Sequence, residues 1–272
     1  MRMTSRPLAA ALVGGLIASV APDASAAPIL VEPAAPYTGV RLDASYIPGT
    51  TGNVDWSGIE LLASGGYQVL PFLGVEVAMP FGFYIPDAGS SKTVQGNADL
   101  AARLGFGFKL GAVRLQAGGA LHLFVPSSSG NIEAQVANGA LSIASINHPG
   151  FRAFKDFTVQ PAVAARVGIS MVDVYASVAP SFSIPTDDGD TLSSLQGGIG
   201  VAVTPISFLT VQAEFLGSHP FEEKLDPQYQ VGVGIVARPP VVNLSLNARI
   251  PVDETSRNIA PVVVGFGVGA SF

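Results

Sequence analysis

Apolar and polar residues alternate along most of the chain, from position 37 to the last residue. The segment 209–215, with the sequence LTVQAEF, is typical: its four apolar residues occupy one parity, and Thr, Gln and Glu occupy the other. A β-strand sends alternate side chains to opposite faces, so a period of two predicts strands with one apolar and one polar face. About twelve such segments of about ten residues follow one another, separated by turn residues. The pattern predicts an all-β fold.

The charged residues indicate what the apolar face contacts. Twelve of them lie within the predicted strands, and all twelve fall on the polar parity. In chain order they are Arg41, Asp43, Glu60, Glu76, Asp99, Arg103, Lys109, Arg114, Arg166, Asp173, Glu214 and Arg249. A charge that faces the middle of a lipid bilayer costs roughly 2–4 kcal/mol, which explains its exclusion from the apolar parity. The sequence therefore predicts a transmembrane antiparallel up-and-down β-barrel of about 12 strands, with these residues lining the lumen.

The connections between the predicted strands alternate in length. Short turns are predicted at 70–73, 111–112, 170–171, 205–207 and 238–240, and long polar loops at 86–96, 126–155, 185–191, 217–226 and 251–258. Short periplasmic turns and longer outer loops are the asymmetry expected of an outer-membrane barrel. An even number of strands then places both chain ends on the periplasmic side.

One of the long loops leaves the strand number open. Asn138 and Gly139 form a hairpin signal between two apolar arms within the loop 126–155. If both arms crossed the membrane, the barrel would have 14 strands. Each arm has only about seven residues, whereas a tilted spanning strand needs about 9–11. Twelve strands are therefore the main expectation, and fourteen the alternative.

The N-terminal 26 residues have the features of a secretory signal peptide. Arg2 and Arg6 form a basic region, residues 8–20 are apolar, and Ala-Ser-Ala at 24–26 is a cleavage site of the A-x-A type. The apolar run of 13 residues is too short to span a bilayer comfortably as an anchor. The predicted divisions are a signal peptide at 1–26, cleaved near Ala26, a periplasmic leader at 27–36 and an outer-membrane β-barrel at 37–272.

The composition narrows the class of protein further. The mean hydropathy is +0.43 with only 12% charged residues, so a soluble β-sandwich with its charges turned outward would have a poor surface for solvent. The absence of cysteine excludes a disulfide scaffold and a Cys-based metal site. Removing the signal peptide reduces 14 basic and 20 acidic residues to 12 and 19, a net charge of −7. This balance excludes the basic footprint of a nucleic-acid-binding protein.

Aromatic residues gather near the ends of the predicted strands, where membrane barrels carry interfacial girdles. They are Tyr37, Tyr46, Trp56, Phe72, Phe124, Phe157, Phe182, Phe208, Phe215 and Tyr229. The last segment alternates apolar and small residues and ends on Phe272. With these features, residues 37–272 resemble the superfamily of bacterial outer-membrane β-barrel proteins, porin-like in architecture and without a subfamily motif. The resemblance implies a Gram-negative cell envelope, contact with outer-membrane lipid and lipopolysaccharide, and Phe272 as the signal for the barrel-assembly machinery.

No constellation of residues predicts catalysis. A phospholipase-like barrel would carry a His two positions before a Ser, whereas Phe, Gly and Phe stand two positions after His122, His148 and His219. The acidic segment 187–190 has no His beside it in sequence and no EF-hand spacing for calcium. Because His148 and His219 could approach this segment through space, an outer-membrane hydrolase stays open as a third function. The sequence predicts no catalytic, cofactor-binding or metal-binding residue.

The long outer connections are acidic. Twelve acids, Asp55, Asp87, Glu133, Asp156, Asp187, Asp188, Asp190, Glu222, Glu223, Asp226, Asp253 and Glu254, outnumber the five bases Lys92, Arg152, Lys155, Lys224 and Arg257. Such a rim can hold divalent cations that bridge lipopolysaccharide, attract cations to a pore mouth, or only keep the loops soluble.

The leading functional hypothesis is a small porin-like channel for ions or small solutes. Barrels of 16 or more strands leave an aqueous channel and eight-stranded ones fill with side chains, so twelve strands allow a narrow pore or a plugged lumen. The second hypothesis is a non-conducting structural or adhesion barrel that binds through residues 126–155.

Overall fold

The computed structural model describes residues 36–51, 54–87, 91–95, 98–125, 156–185, 189–222, 226–239 and 242–271. The predicted signal peptide, nearly all of the predicted leader, the loop 126–155 and Phe272 lie outside the described residues and stay predictions.

The described chain is almost entirely strand, with one short helix. The strands are β1 Gly39–Thr51, β2 Val54–Leu70, β3 Leu73–Pro86, β4 Lys92–Gln95, β5 Ala98–Leu110, β6 Val113–Val125, β7 Asp156–Ile169, β8 Val172–Pro185, β9 Leu192–Ile206, β10 Leu209–Pro220, β11 Gln228–Ala237, β12 Asn243–Pro251 and β13 Val263–Ser271. The helix α1 spans Glu254–Ile259. Among the described residues, no helix has the length and apolar character needed to cross a bilayer.

The strands close into a single antiparallel barrel. Each long strand pairs with its neighbours in sequence, and β13 pairs with β1 to complete the ring. The short β4 continues the line of β5 along β3, because Gln95 lies opposite Phe81 and Asp99 lies opposite Ala78. The wall therefore has 12 strands, as predicted. The fourteen-strand alternative is wrong, since β6 pairs directly with β7 and the ring is closed without further strands.

The predicted division into two faces holds along the wall. On β10, Gln212 and Glu214 are buried, whereas Val211 and Phe215 are exposed. The same alternation leaves large apolar side chains exposed on every long strand, from Val40 on β1 to Phe266 on β13. A closed barrel with an apolar exterior suits lipid, because it has no unpaired edge and presents no charge to the hydrocarbon.

The short turns lie at one end of the barrel, together with the start of β1 and the end of β13. At two of them the chain adopts a positive φ, 62° at Gly111 and 57° at Ser170. Glycine adopts this conformation without steric cost, whereas serine does so less readily. The turn predicted at 205–207 lies one residue later, at Ser207 and Phe208, because β9 continues to Ile206. We call this end the short-turn end, and the opposite end the loop end.

Two predicted loops at the loop end contain regular structure. The predicted loop 217–226 begins late, because β10 continues to Pro220. The predicted loop 251–258 instead contains α1, whose N-cap is Asp253. Its Oδ1 accepts a hydrogen bond from the backbone N–H of Ser256 at 2.7 Å, a contact that satisfies a free helix donor. The helix was not predicted because six residues carry too little periodicity to distinguish a helical turn from a polar loop.

Candidate functional site

The twelve predicted lumen residues share one face of the wall, opposite the exposed apolar side chains. Five of them are buried: Glu60, Asp99, Arg103, Glu214 and Arg249. Six are partly buried, namely Arg41, Asp43, Glu76, Arg114, Arg166 and Asp173. Lys109 is exposed, close to the short turn at 111–112. We call this face of the closed barrel the inner face.

Glu76 on β3 is the centre of a hydrogen-bonded group near the short-turn end. Its Oε2 accepts hydrogen bonds from Arg103 Nε at 3.2 Å and Arg103 Nη2 at 3.0 Å. Its Oε1 accepts a hydrogen bond from the Tyr37 hydroxyl at 3.1 Å. Burial, together with the negative charge of Glu76, raises the pKa of Tyr37 above its ordinary value. The group joins β3, β5 and the segment before β1, and it holds a phenol, a carboxylate and a guanidinium together.

The segment that precedes β1 lies against the inner face. A Cβ added to Gly66 would come within 2.9 Å of the Tyr37 ring, and one added to Gly74 would come within 2.8 Å of Pro36 Cβ. Thr38 Oγ1 also accepts a hydrogen bond from the backbone N–H of Gln68 at 2.9 Å. These two glycines thus make room for the chain on the inner face of β2 and β3. Tyr37, which the sequence assigned to an interfacial girdle, instead points to Glu76.

A buried Asp–His pair lies nearer the loop end. His122 Nδ1 on β6 lies 2.8 Å from Asp99 Oδ2 on β5, and both side chains are at most 5% exposed. A carboxylate beside one ring nitrogen fixes the orientation of an imidazole, the arrangement of many catalytic and many structural histidines. The sequence placed His122 on the polar parity but did not identify its partner, because strand parity gives the face and not the register.

Hydrogen bonds from uncharged donors continue along the inner face of β7 to β10. Glu214 on β10 accepts hydrogen bonds from the Tyr175 hydroxyl and, at 2.9 Å, from Gln212 Nε2. Gln160 Nε2 donates to Gln196 Oε1 at 2.9 Å. These residues are buried. Charged and neutral polar groups therefore both cover this part of the inner face.

Three arginines on the inner face have defined partners. Arg41 Nε lies 2.6 Å from Asp43 Oδ2, on the same strand. Arg166 Nη2 on β7 lies 2.6 Å from Asp173 Oδ2 on β8. Arg249 Nη2 on β12 donates to Ser45 Oγ on β1 at 3.0 Å, where the strands from the two ends of the sequence meet across β13.

At the loop end the inner face is apolar. Ile47, Trp56, Ala260 and Val263 form a buried cluster, which we call the loop-end cluster, and Tyr84 and Ile259 pack against it. Trp56 is only 3% exposed, and its ring centroid lies 5.4 Å from that of Tyr84. The prediction that Trp56 belongs to an interfacial girdle is therefore wrong. It lies on the inner parity of β2, where α1 and β1 cover it.

Several of the other predicted girdle residues are exposed. They are Tyr46, Phe72, Phe182, Phe208 and Phe215. Phe72 stacks on Phe106 with ring centroids 5.6 Å apart, and Phe215 stacks on Tyr229 at 5.9 Å. Phe157 is partly buried, and the side chain of Phe124 lies outside the description. The outer wall thus carries aromatic pairs near both ends of its strands.

Some acids of the predicted rim accept hydrogen bonds from the barrel itself. Glu222 Oε1 accepts from the backbone N–H of Ser193 at 2.6 Å, and Asp253 Oδ2 accepts from that of Tyr229 at 2.8 Å. Within the described residues, no group of three His, Asp or Glu side chains is arranged to hold a metal ion. His219 Nδ1 lies 3.2 Å from the Tyr229 hydroxyl. His148 lies in the loop 126–155, outside the described residues.

No protein-family model and no curated protein sequence matches this chain. Among solved structures, the COG4313 outer membrane channel from Pseudomonas putida F1 is similar with a TM-score of 0.63, at 10% identity over 91% of this chain and 100% of that chain. The NanC porin has a TM-score of 0.53 at 10% identity, over 86% and 100%. The KdgM porin has a TM-score of 0.50 at 12% identity, over 86% and 99%. Likeness at such identities shows the fold alone, and that fold is a closed 12-stranded antiparallel barrel.

Proposed function

We propose that this protein is a small porin-like channel of the bacterial outer membrane for ions or small solutes. The observation that carries the proposal is the inner face, where charged and polar side chains occur on nearly every strand within an apolar exterior. Membrane barrels with a polar interior are typically water-filled channels. The polar parity has no role in contact with lipid, so its charges are best explained by water inside the barrel.

The size of the barrel and its filling favour small solutes. Twelve strands enclose less space than the 16 or more strands of open porins. The side chains of the loop-end cluster occupy part of that space, and those of the Tyr37–Glu76–Arg103 group occupy a further part. The names of two similar structures, a COG4313 channel and the NanC porin, also favour a channel.

The second candidate is a non-conducting structural or adhesion barrel. The loop-end cluster favours it, because a buried tryptophan packed against α1 is the kind of contact that closes a lumen. In that case residues 126–155 would be the part that binds a partner. An outer-membrane hydrolase has less support: the Asp99–His122 pair is buried within the wall and not at the rim, so we propose no enzymatic activity.

Conductance in planar bilayers separates these two candidates. We expect purified, folded protein to give steady unitary conductance steps, and heat-unfolded protein from the same preparation to give none. Silence from protein that is folded, as judged by its heat-modifiable migration on a gel, would contradict the channel and support the non-conducting barrel. Swelling of liposomes in sugars of increasing size would then give the size limit of a conducting barrel.

The proposal includes the partners implied by the resemblance to outer-membrane barrels. They are membrane lipid, lipopolysaccharide and the barrel-assembly machinery, which we expect to read Phe272. The substitution Phe272→Ala should lower the folded outer-membrane fraction without blocking secretion. Recovery of the unaltered protein from soluble periplasmic extracts would overturn the assigned location.

A further inference from the structure

Three basic residues lie side by side on the inner face near the short-turn end. Lys109 on β5 lies directly opposite Arg114 on β6, and Arg114 lies directly opposite Arg166 on β7. Like charges that face each other across neighbouring strands destabilise a sheet. Stability of the wall therefore does not explain why three neighbouring strands carry basic residues at directly opposite positions.

A fourth cation approaches from another part of the wall. Arg238 follows β11, four strands away from β7 in the barrel order, and its Nη1 donates to Thr210 Oγ1 at 3.2 Å. Burial, followed by the positive charge of Arg166, lowers the pKa of Arg238. Thr210 Oγ1 lies 3.0 Å from Thr204 Oγ1 on β9, and the backbone N–H of Thr204 donates to the carbonyl oxygen of Met171, in the turn between β7 and β8. The Arg238 side chain thus reaches the part of the inner face next to this turn. We call Lys109, Arg114, Arg166 and Arg238 the cationic cluster.

Acidic groups share this part of the inner face. Asp173 pairs with Arg166 at 2.6 Å, and Tyr175, directly opposite Arg166 on β8, donates a hydrogen bond to Glu214. Asp173 also acts on Arg238, although less strongly than Arg166 does. Register nevertheless places three basic residues next to one another only a few residues from the short turns, whereas the described loop-end residues include the acids Asp55, Asp87 and Glu222.

We propose that the cationic cluster is a binding site for small solutes that carry carboxylate or phosphate groups. Arginine presents a planar fork of N–H donors that matches both groups, and two or three such forks around one space bind an anion more tightly than one. The side chains come from three neighbouring strands and from the segment after β11, so they can surround a solute inside the barrel. A folded protein partner is too large to contact these side chains inside the barrel.

This inference rests on the proposed channel function, because a solute reaches the site through the lumen of the channel. Its test therefore measures binding and conduction separately. Detergent-solubilised protein is heated in inorganic phosphate, in succinate and in sodium chloride of equal ionic strength. We expect phosphate, succinate or both to raise the unfolding temperature above that in chloride, because a ligand that binds only the folded state stabilises it.

The variant Lys109→Gln, Arg114→Gln should remove this stabilisation. Loss of one charge-assisted contact weakens binding by about tenfold. The loss of two contacts should therefore abolish the difference in unfolding temperature between phosphate or succinate and chloride. The control is Arg257→Gln, which removes one positive charge from the exposed surface of α1 at the loop end. The control should keep the stabilisation by phosphate or succinate. Heat-modifiable migration shows whether each variant is folded, and removal of facing like charges should not impair folding.

The outcomes separate the two proposals. Conductance with equal stabilisation of the wild type and the double variant would overturn the anion site and leave the channel intact. Stabilisation that depends on the cluster in a barrel without conductance would support the site and overturn the channel. If neither phosphate nor succinate stabilises the wild type more than chloride does, the anion site is wrong. Stabilisation by only one of the probes would identify which of the two groups the site binds.

Discussion

The two ends of the inner face are built from different chemistry on the same strand parity. At the loop end, the loop-end cluster packs Trp56 and Val263 away from water. Toward the short-turn end, the same parity carries the cationic cluster and, six residues before Lys109 on β5, Arg103 of the Tyr37–Glu76–Arg103 group. Both ends satisfy the rule that lipid excludes charges from the outer parity. The comparison teaches that strand parity determines which face of the wall a residue occupies, but not whether its surroundings on that face are polar or apolar. The position of the apolar part of the inner face then decides where a pore narrows.

The largest expected effect is at the loop end. Replacing Trp56 by Ala should destabilise the barrel by about 3–5 kcal/mol, because it leaves a cavity among residues that cannot fully collapse. The same change should raise the unitary conductance if the indole narrows the pore. Both effects are measured on one preparation, by denaturant-induced unfolding and in planar bilayers.

The control for this change is Phe208→Ala, which removes an aromatic ring that is 53% exposed in the short turn between β9 and β10. It should leave conductance unchanged. Equal conductance in the wild type and Trp56→Ala would show that the loop-end cluster does not lie at the narrowest point.

At the short-turn end, Glu76→Gln tests the charged group. The change removes a charged acceptor shared by Arg103 and Tyr37, and hydrogen bonds to charged groups contribute roughly 1.5–3 kcal/mol. We expect a loss of stability of about that size and a shift of ion selectivity toward anions, because one fixed negative charge leaves the inner face. Reversal potentials across a salt gradient measure the shift. An unchanged reversal potential would place Glu76 outside the conducting path.

Two glycines on the inner parity offer a matched pair of small changes. A Cβ at Gly49 would overlap the Trp56 ring and come within 2.6 Å of the Ile259 carbonyl oxygen, whereas one at Gly107 would have no heavy atom within 4 Å. Overpacking typically costs about 1–3 kcal/mol, so Gly49→Ala should destabilise the barrel and Gly107→Ala should not. Denaturant midpoints measure both. Equal midpoints would show that the loop end packs no more tightly than the short-turn end.

The smallest effect concerns pH. Because the pKa of Tyr37 is raised by burial and by Glu76, the folded state holds its phenolic proton more tightly than the unfolded state does. Its contribution to stability is complete below the ordinary pKa of 10.0 and is lost as the pH rises through the folded value. Stability should thus fall above about pH 10, and Tyr37→Phe should make this fall less steep. A fall of equal slope in the wild type and Tyr37→Phe would exclude Tyr37 as its source.

The sequence predicted the wall of this barrel well, because the alternation of apolar and polar residues along a single strand shows which residues lie on each face. Parity along β10 gave the inner position of Glu214, and the count of segments gave the number of strands. The partners on the inner face could not be predicted in the same way. The pairing of Glu76 with Arg103, and of His122 with Asp99, depends on the register between strands, which parity does not specify.

What the sequence determined by itself is therefore the membrane-facing exterior and the polar parity of the twelve charged residues, because lipid acts on each side chain separately. The tertiary structure decided where Trp56 and Tyr37 lie. Both were assigned to a girdle from their places near strand ends, and both are instead on the inner face. It also decided that Lys109, Arg114 and Arg166 stand at one height. The physical reason is closure: only the ring of strand pairs fixes which residues from distant parts of the chain share one space.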